Sequence, residues 1–266
     1  MMRRAVVIVT VMMGLLVWGL RPASAITYGE IDGSVHPEVG VLVFEYQSQM
    51  VFICSGTLIA PDVFLTAGHC TAALASMGVP PNDVWVSFDS DFDGSTSTLY
   101  PGTYHTNPAY YMHSFAAYSD LGVVVLDEPI VGITPASLPD VGMLNELGPR
   151  GLRGQRFTAV GYGSIEPTIG GGPPSFDDGG VRRAAVSRFD ALNKNWLRLS
   201  SNAARGDGGT CYGDSGGPNF LGAGGSETHI IAGITITGDS LCLATNVVLR
   251  LDTEAAHSFL DPYLYY

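Results

Sequence analysis

The sequence predicts an all-β protein, and both its composition and its pattern of apolar runs support this class. The 266 residues include 34 glycines and 16 prolines, with a hydrophobic content of 46%, which suits a turn-rich β protein better than a helical one. Short apolar and β-branched runs recur between turn residues, and no long helical period interrupts them. The length allows one domain or two small barrels packed as one unit.

Six of these runs lie in the first half of the chain, and their spacing indicates a closed or nearly closed antiparallel barrel. They cover residues 39–46, 51–59, 63–67, 84–88, 98–104 and 121–126. Residues 89–94 mimic the first half of a calcium loop, but Tyr100 stands where that loop needs a glutamate. We therefore predict an acidic hairpin turn, with calcium binding as the alternative.

The second half repeats the strand-like pattern after a connecting segment. Residues 130–153, rich in proline and glycine, are predicted to cross between two barrels. Runs of strand length follow at residues 156–163, 181–189, 196–199, 229–237 and 246–251. The glycine-rich residues 164–180 predict a long surface loop. Thr253 is a plausible cap for a short C-terminal helix over residues 253–260.

Residues 1–25 have the pattern of a secretory signal peptide. Two arginines precede an uncharged run over residues 5–20, and Ala-Ser-Ala at residues 23–25 fits a signal-peptidase site. The run is shorter than the ~20 residues of a spanning helix, so a retained membrane anchor is the weaker alternative. Removal of residues 1–25 takes away three arginines and no acids, so the net charge falls from −12 to −15. A protein this acidic is predicted not to bind nucleic acid or anionic membranes.

The four cysteines favour two disulfides over free thiols, because the chain is predicted to be secreted. The sequence alone permits three pairings of Cys54, Cys70, Cys211 and Cys242. No C-x-x-C spacing supports a zinc site, so no metal site is predicted.

The sequence GDSGGP at residues 213–218 predicts a reactive serine. A serine is a poor nucleophile at neutral pH, so a catalytic one must sit in a turn that exposes its hydroxyl to a base while backbone N–H groups point at the reacting carbonyl. Glycines on both sides allow such a turn. Ser215 is therefore the candidate nucleophile.

Two further motifs supply a base and a carboxylate. His69 lies in TAGHC at residues 66–70, directly after an apolar strand, and is the candidate general base. Asp120 precedes the apolar run LGVVVL, so its carboxylate is expected at a strand entrance, where it can hold the second ring nitrogen. The remaining histidines lack the glycine–cysteine setting of His69; they are His36, His105, His113, His229 and His257. The aspartates that compete with Asp120 are Asp83, Asp127, Asp207 and Asp239.

With their order of His, Asp and Ser, the three motifs resemble the chymotrypsin/trypsin-type serine proteases, from Ile26 to about Leu260. The resemblance implies two packed six-stranded antiparallel β-barrels. It also implies a secreted, monomeric endopeptidase that cleaves protein or peptide substrates through an acyl-enzyme and needs no cofactor. The expected organisation is a signal peptide at 1–25, a peptidase domain at 26–252 with barrels at about 26–135 and 150–252, and a C-terminal helix and tail at 253–266.

The same resemblance implies further site residues. The N–H groups of Gly213 and Ser215 would form the oxyanion hole, and the disulfides would be Cys54–Cys70 and Cys211–Cys242. The mature chain would begin at Ile26, whose α-amino group would pair with Asp214. Cleavage after Ala25 would expose that group directly, so we expect activity on secretion without a separate activation step.

The family's pocket for the side chain before the cleaved bond maps to Gly209, Thr210 and Gly238. An uncharged floor at Gly209, where trypsin-like enzymes place an aspartate, predicts a preference for apolar side chains. Asp239 is the residue that could restore some preference for basic ones. Ile236 and Thr237 replace the Ser-Trp pair that is usual in the family.

Two alternatives remain from other classes. The motif G-x-S-x-G around Ser215, followed by Asp239 and His257, also matches the order of an α/β-hydrolase-type esterase, although Gly216-Gly217-Pro218 is a poor start for the helix that fold needs. A catalytically inactive protease homologue that only binds partners is the second alternative, although the chain lacks no member of the triad.

Overall fold

Two closed antiparallel β-barrels form the architecture in the computed structural model, which describes residues 26–110, 119–170 and 173–264. This confirms the predicted fold class. The predicted signal peptide, His113 and the last two residues of the predicted tail lie outside the described residues. Among the described residues, no helix has the length and apolar character needed to cross a membrane.

The first barrel follows a two-residue strand, β1 (Glu30–Ile31), and closes in the order β2-β3-β4-β7-β6-β5. Its strands are β2 (Val39–Tyr46), β3 (Gln49–Ala60), β4 (Val63–Thr66), β5 (Val84–Ser87), β6 (Tyr100–Thr106) and β7 (Gly122–Leu126). Gly56 on β3 must be glycine, because a Cβ there would collide with Leu65 O and the ring of Phe64. This close approach lets the small barrel fill its interior with apolar side chains.

The second barrel closes in the order β8-β9-β10-β13-β12-β11, because β8 pairs with both β9 and β11. Its strands are β8 (Arg156–Gly161), β9 (Arg183–Leu192), β10 (Trp196–Ser200), β11 (Pro218–Leu221), β12 (Ile231–Gly238) and β13 (Thr245–Arg250). The edge strand β1 pairs with β9, so the segment before the first barrel is attached to the second. The sequence pattern missed β11, which has four residues and begins at a proline.

In the part of the chain that the structure describes, three α-helices lie outside the barrel strands: α1 (Gly68–Ser76), α2 (Met143–Gly154) and α3 (Glu254–Leu264). The expected C-terminal helix is α3. The other two correct the sequence reading. His69 lies in the first turn of α1, and the segment predicted to cross between the two barrels contains α2. The sequence did not predict α2 because Gly148 and Pro149 both disfavour a helix interior. Gly148 adopts a non-helical φ of 61°.

The acidic segment near residues 89–94 uses its carboxylates to shape its own turn. Asp93 accepts hydrogen bonds from the N–H groups of Ser95 and Thr96, at 2.8 and 2.7 Å, and from the Thr96 hydroxyl. Asp89 accepts one from Thr98 N at 2.7 Å. These contacts fit the predicted acidic hairpin turn.

A buried ionic cluster joins the segment before β2 to the second barrel. Arg182 lies 2% exposed; its Nε donates to Asp32 at 3.0 Å, and its Nη1 donates to Val39 O and Phe88 O at 3.0 and 2.9 Å. His36 binds Asp32 through Nδ1 and Glu227 through Nε2. Burial alone would lower the pKa of His36, but the two carboxylates outweigh it and raise the pKa to about 9.

Arg182 should therefore be essential to the stability of the two-barrel fold. We expect Arg182→Met to lower the free energy of unfolding by about 3–5 kcal/mol, because it leaves buried carbonyls and a buried carboxylate without their donor. Urea unfolding measures this loss. The matched control is Arg198→Met: Arg198 is 48% exposed and 3.7 Å from Asp190, so its loss should cost at most about 1 kcal/mol. Equal losses in both variants would contradict the assignment.

Candidate active site

His69 is held on Asp120 by two hydrogen bonds. Its backbone N–H donates to Asp120 Oδ1 at 2.7 Å, and its ring Nδ1 lies 2.9 Å from Asp120 Oδ2. Asp120 is buried, whereas the His69 side chain remains 31% exposed. The contact to Nδ1 leaves Nε2 as the ring nitrogen free to accept a proton, with the carboxylate shielded from water behind it.

Local packing explains why His69 and Asp120 meet. Cys70, next to His69, forms a disulfide with Cys54 on β3. Gly68 packs against the segment of Asp120, because a Cβ on Gly68 would lie 2.9 Å from Leu121 N. A side chain at position 68 would therefore separate the histidine from its carboxylate.

The loop of Ser215 packs against the residues that precede His69. Gly216 has a φ of 80°, and a Cβ on it would lie 2.6 Å from Ala67 N and collide with Thr66 Oγ1. The carbonyl of Ser215 accepts a hydrogen bond from Ser55 N at 3.0 Å. The segments of Ser215, His69 and Asp120 thus converge where the two barrels meet. In the described part of the chain, the Ser215 hydroxyl makes no hydrogen bond to His69.

Two N–H groups of this loop take no part in the hydrogen bonds that hold it, as far as the structure describes the chain. Asp214 N donates to Cys211 O at 3.1 Å, Gly216 N to Thr235 O at 2.8 Å, and Gly217 N to Asp214 O at 2.9 Å. Across residues 26–110, 119–170 and 173–264, no acceptor is hydrogen-bonded to the N–H groups of Gly213 and Ser215. Gly213 has a φ of 97°, a conformation that glycine adopts without strain.

Asp214 is fully buried. It directly precedes the candidate nucleophile Ser215 in the loop over residues 211–217, which is called the nucleophile loop below. Its carboxylate accepts from Gly163 N at 2.7 Å and from Cys211 N at 2.8 Å. Burial raises its pKa to about 7, although these two N–H groups oppose the shift. Within the described ranges, no basic side chain lies within ion-pair distance of Asp214.

Ile26 is also fully buried, but the structure does not join it to Asp214. Its carbonyl accepts from Gly29 N at 2.7 Å, and the neighbouring Thr27 O accepts from Gly209 N at 3.0 Å. In the full-length chain the Ile26 nitrogen belongs to a peptide bond and carries no charge. The start of the predicted mature chain therefore packs against a residue predicted for the substrate pocket.

A cavity of about 340 Å³ opens beside Ser215. Two of the three residues predicted for the substrate pocket, Thr210 and Gly238, line it, together with the Cys211–Cys242 disulfide. Gly209 does not line it. A Cβ at Gly209 would collide with Ser201 Oγ, so position 209 cannot take an aspartate in this arrangement.

Asp239 lines the same cavity, but its carboxylate is used by the loop that follows it. Oδ1 accepts from the N–H groups of Leu241 and Leu243, and Oδ2 from those of Ala244 and Thr245, at 2.8–3.2 Å. Burial works against ionisation, but these four donors outweigh it and lower the pKa of Asp239. The carboxylate thus fixes one wall of the cavity.

The long loop over residues 164–180 reaches this cavity through an aromatic contact. Phe176 packs edge-on against Tyr212, with ring centroids 5.0 Å apart, and the Tyr212 hydroxyl donates to Ser240 O at 3.2 Å. The loop is fixed at its base by the Ser164 hydroxyl, which donates to Asp177 O at 2.7 Å.

Sequence reasoning missed two residues that shape the site. Ser55, directly after Cys54, donates through Oγ to Gly213 O at 2.9 Å. Gly163 must be glycine, because a Cβ there would lie 2.6 Å from Tyr212 O and from the Asp214 carboxyl carbon. Their local motifs, CSG and GYG, gave no indication of partners more than 50 residues away.

The esterase alternative is wrong, because the fold consists of two antiparallel barrels and not of an α/β sheet. Its proposed residues are occupied elsewhere: Asp239 caps its loop, and His257 binds Pro139 O at 2.9 Å. Of the competing histidines, His36 lies in the buried ionic cluster and His229 is 3.4 Å from Glu38.

The raised pKa of Asp214 predicts a pH dependence of stability in a chain whose Ile26 nitrogen is still in a peptide bond. The folded state keeps the proton up to about pH 7, whereas the ordinary value is 3.8. The stability from this group is therefore complete below pH ~4 and is lost as the pH rises towards 7. Urea unfolding between pH 4 and 7 should show a smaller loss with Asp214→Asn than with wild type. Asp190→Asn, at an exposed site, should keep the wild-type slope, and identical slopes for all three would contradict the prediction.

Comparison with known proteins agrees with this geometry. A family model described as Trypsin matches residues 36–250. Snake venom serine protease 2B from Craspedocephalus gramineus is 30% identical over 186 residues, which cover 67% of this chain and 65% of that relative. Brachyurin from Leptuca pugilator is 27% identical over 185 residues, covering 63% of this chain and 70% of brachyurin.

A venom plasminogen activator from Lachesis muta muta is 26% identical over 230 residues, which cover 80% of each chain. The match to the snake venom serine protease spans just under two thirds of that relative's length. The family model alone covers most of the present sequence, including all three motifs. The chain belongs to the trypsin family of serine proteases.

Proposed function

We propose that this chain is a secreted serine endopeptidase in which Ser215, His69 and Asp120 form the catalytic triad. The observation that carries the proposal is the pair of hydrogen bonds that fixes His69 on Asp120, beside the loop of Ser215. Membership of the trypsin family supports the same chemistry. The two disulfides fit an extracellular protein.

In the proposed reaction, the Ser215 hydroxyl attacks a peptide carbonyl while His69 Nε2 accepts its proton. Asp120 stabilises the imidazolium through Nδ1. His69 then gives the proton to the leaving amine, which releases the first product and leaves an acyl-enzyme. Water, activated by the same imidazole, hydrolyses the ester and restores Ser215.

The N–H groups of Gly213 and Ser215 are the proposed oxyanion hole. Their lack of partners in the described structure supports this role, because donors aimed at developing charge accelerate acyl transfer without having to be freed first. Removal of one such donor typically costs about 10²–10³ in kcat.

The proposed specificity is for an apolar side chain before the cleaved bond. Among the described residues that line the cavity beside Ser215, Asp239 is the only acidic one, and its carboxylate already binds four N–H groups. A buried ammonium or guanidinium would therefore lose its hydration without gaining a free carboxylate.

Activity and specificity are tested together by incubating the secreted protein with a mixed peptide library. We expect cleavage after apolar residues by wild type, none by Ser215→Ala, and covalent labelling of wild type by a fluorophosphonate probe. Ser226→Ala, at an exposed turn, is the control and should match wild type. A folded wild type that is neither labelled nor active would favour the alternative of a binding module. Cleavage mainly after Lys or Arg would contradict the apolar preference.

We further propose that residues 1–25 are a signal peptide, that residues 26–252 form the peptidase domain, and that the mature protein is a monomer beginning at Ile26. In the mature protein the new α-amino group pairs with Asp214. The buried carboxylate with its raised pKa supports this pairing, because an ammonium would compensate a charge that now has only two N–H donors.

This activation model predicts a strict requirement for the free terminus. A chain with one extra alanine before Ile26 should fold but lose at least about tenfold in kcat/KM on a library-derived peptide, since loss of a buried ion-pair partner costs about 3–5 kcal/mol. Fluorophosphonate labelling should slow in parallel. An extra residue after Tyr266 serves as the control. Full activity of the extended chain, or a secreted protein that begins elsewhere than Ile26, would contradict the model.

A further inference from the structure

Ser55 is the residue through which the first barrel holds the nucleophile loop. It follows Cys54 on β3 and is fully buried. Its Oγ donates to Gly213 O at 2.9 Å, and its backbone N–H donates to Ser215 O at 3.0 Å. One residue therefore binds the carbonyls on both sides of Asp214.

The orientation of the Ser55 hydroxyl is fixed by a third partner. Tyr162 N donates to Ser55 Oγ at 3.0 Å, so the hydroxyl hydrogen remains for Gly213 O. The Ser55 carbonyl accepts from Thr66 Oγ1 at 2.8 Å. The side chain thus connects β3, the end of β8 and the nucleophile loop with every polar atom paired, as a buried hydroxyl requires.

The hydrogen bond from the Ser55 hydroxyl matters because its acceptor, Gly213, is a flexible residue of the proposed oxyanion hole. Glycine has access to more backbone conformations than any other residue, and Gly213 sits at a φ of 97°. Its N–H is one of the two proposed oxyanion donors, so rotation of its backbone would turn that donor away from the substrate. The hydrogen bond from Ser55 Oγ to the carbonyl of Gly213 restricts that carbonyl and thereby limits rotation of the Gly213 backbone.

We propose that Ser55 is a positioning residue of the oxyanion hole, acting through Gly213 and Ser215 rather than on the substrate. The inference rests on the proposed serine endopeptidase function. Its consequence is that the barrel that carries His69 also sets the geometry of the donors on the other barrel. Loss of the Ser55 hydroxyl should therefore weaken stabilisation of the transition state and leave binding of the ground-state peptide unchanged.

The test compares Ser55→Ala, Ser55→Thr and a matched control, Thr57→Val, with wild type and Ser215→Ala. Thr57 lies two residues further along β3, is fully buried, and its Oγ1 has no hydrogen-bond partner in the described structure. Steady-state kinetics on a chromogenic peptide chosen from the library, and the rate of fluorophosphonate labelling, are the readouts.

We expect Ser55→Ala to lower kcat and the labelling rate about 10- to 100-fold, with KM within about twofold of wild type. The larger of these losses equals the smallest loss, about 100-fold, that removal of an oxyanion donor itself typically causes. Ser55→Thr, which keeps the hydroxyl, should recover kcat to within about threefold, and Thr57→Val should match wild type. If Ser55→Ala does not fold, Ser55→Cys replaces it, because a thiol fills the site but is a weak donor.

Three results would overturn the inference. They are an unchanged kcat in the folded Ser55→Ala or Ser55→Cys variant, a rise in KM without a fall in kcat, and an equal loss of kcat in Thr57→Val. These are distinct from failure of the proposed function, in which wild type itself shows no turnover or labelling that depends on Ser215. That last result would remove the basis of the inference as well.

Discussion

Pairing of polar groups buried between the two barrels is the constraint on which the rest of the structure depends. A hydroxyl, carboxylate or carbonyl that leaves water must find a partner in the protein, and for several buried groups here the partner belongs to the other barrel. Ser55 on the first barrel binds two carbonyls of the loop of Ser215 on the second, and Arg182, just before β9, donates to Val39 O and Phe88 O of the first barrel. The two barrels are consequently held in position by hydrogen bonds as well as by apolar packing, and this fixes the relative positions of the candidate catalytic side chains.

A second set of paired buried groups joins Asp32, in the segment before β2, to Arg182, just before β9. Arg182 connects Asp32 to the carbonyls of Val39 and Phe88 and to the hydroxyl of Tyr162, which lies 3.1 Å from its Nη1. Tyr162 is fully buried and directly precedes Gly163. The ionic cluster therefore supports the backbone that contacts Asp214, although it lies outside the triad.

The sequence predicted the fold class, which is confirmed, and it also led to the candidate triad residues, because their motifs are local and fall in a fixed order along the chain. It did not predict β11, which begins at a proline, or α2, which is interrupted by Gly148 and Pro149. The contacts between the two barrels could not be predicted. Ser55 is 158 residues from Gly213 and 107 from Tyr162, and only the packed fold reveals that they touch.

In the loop over residues 164–180, the ring of Phe176 packs on Tyr212, which lines the cavity beside Ser215. Its base is held by the contacts of Ser164 and Asp177, and Ser164 N also donates to Tyr212 O at 2.7 Å, so the base is attached to the loop of Ser215. Replacing Phe176 by another side chain would therefore reshape one side of that cavity, while the hydrogen bonds at the base of the loop and the pairing of His69 with Asp120 stay as they are.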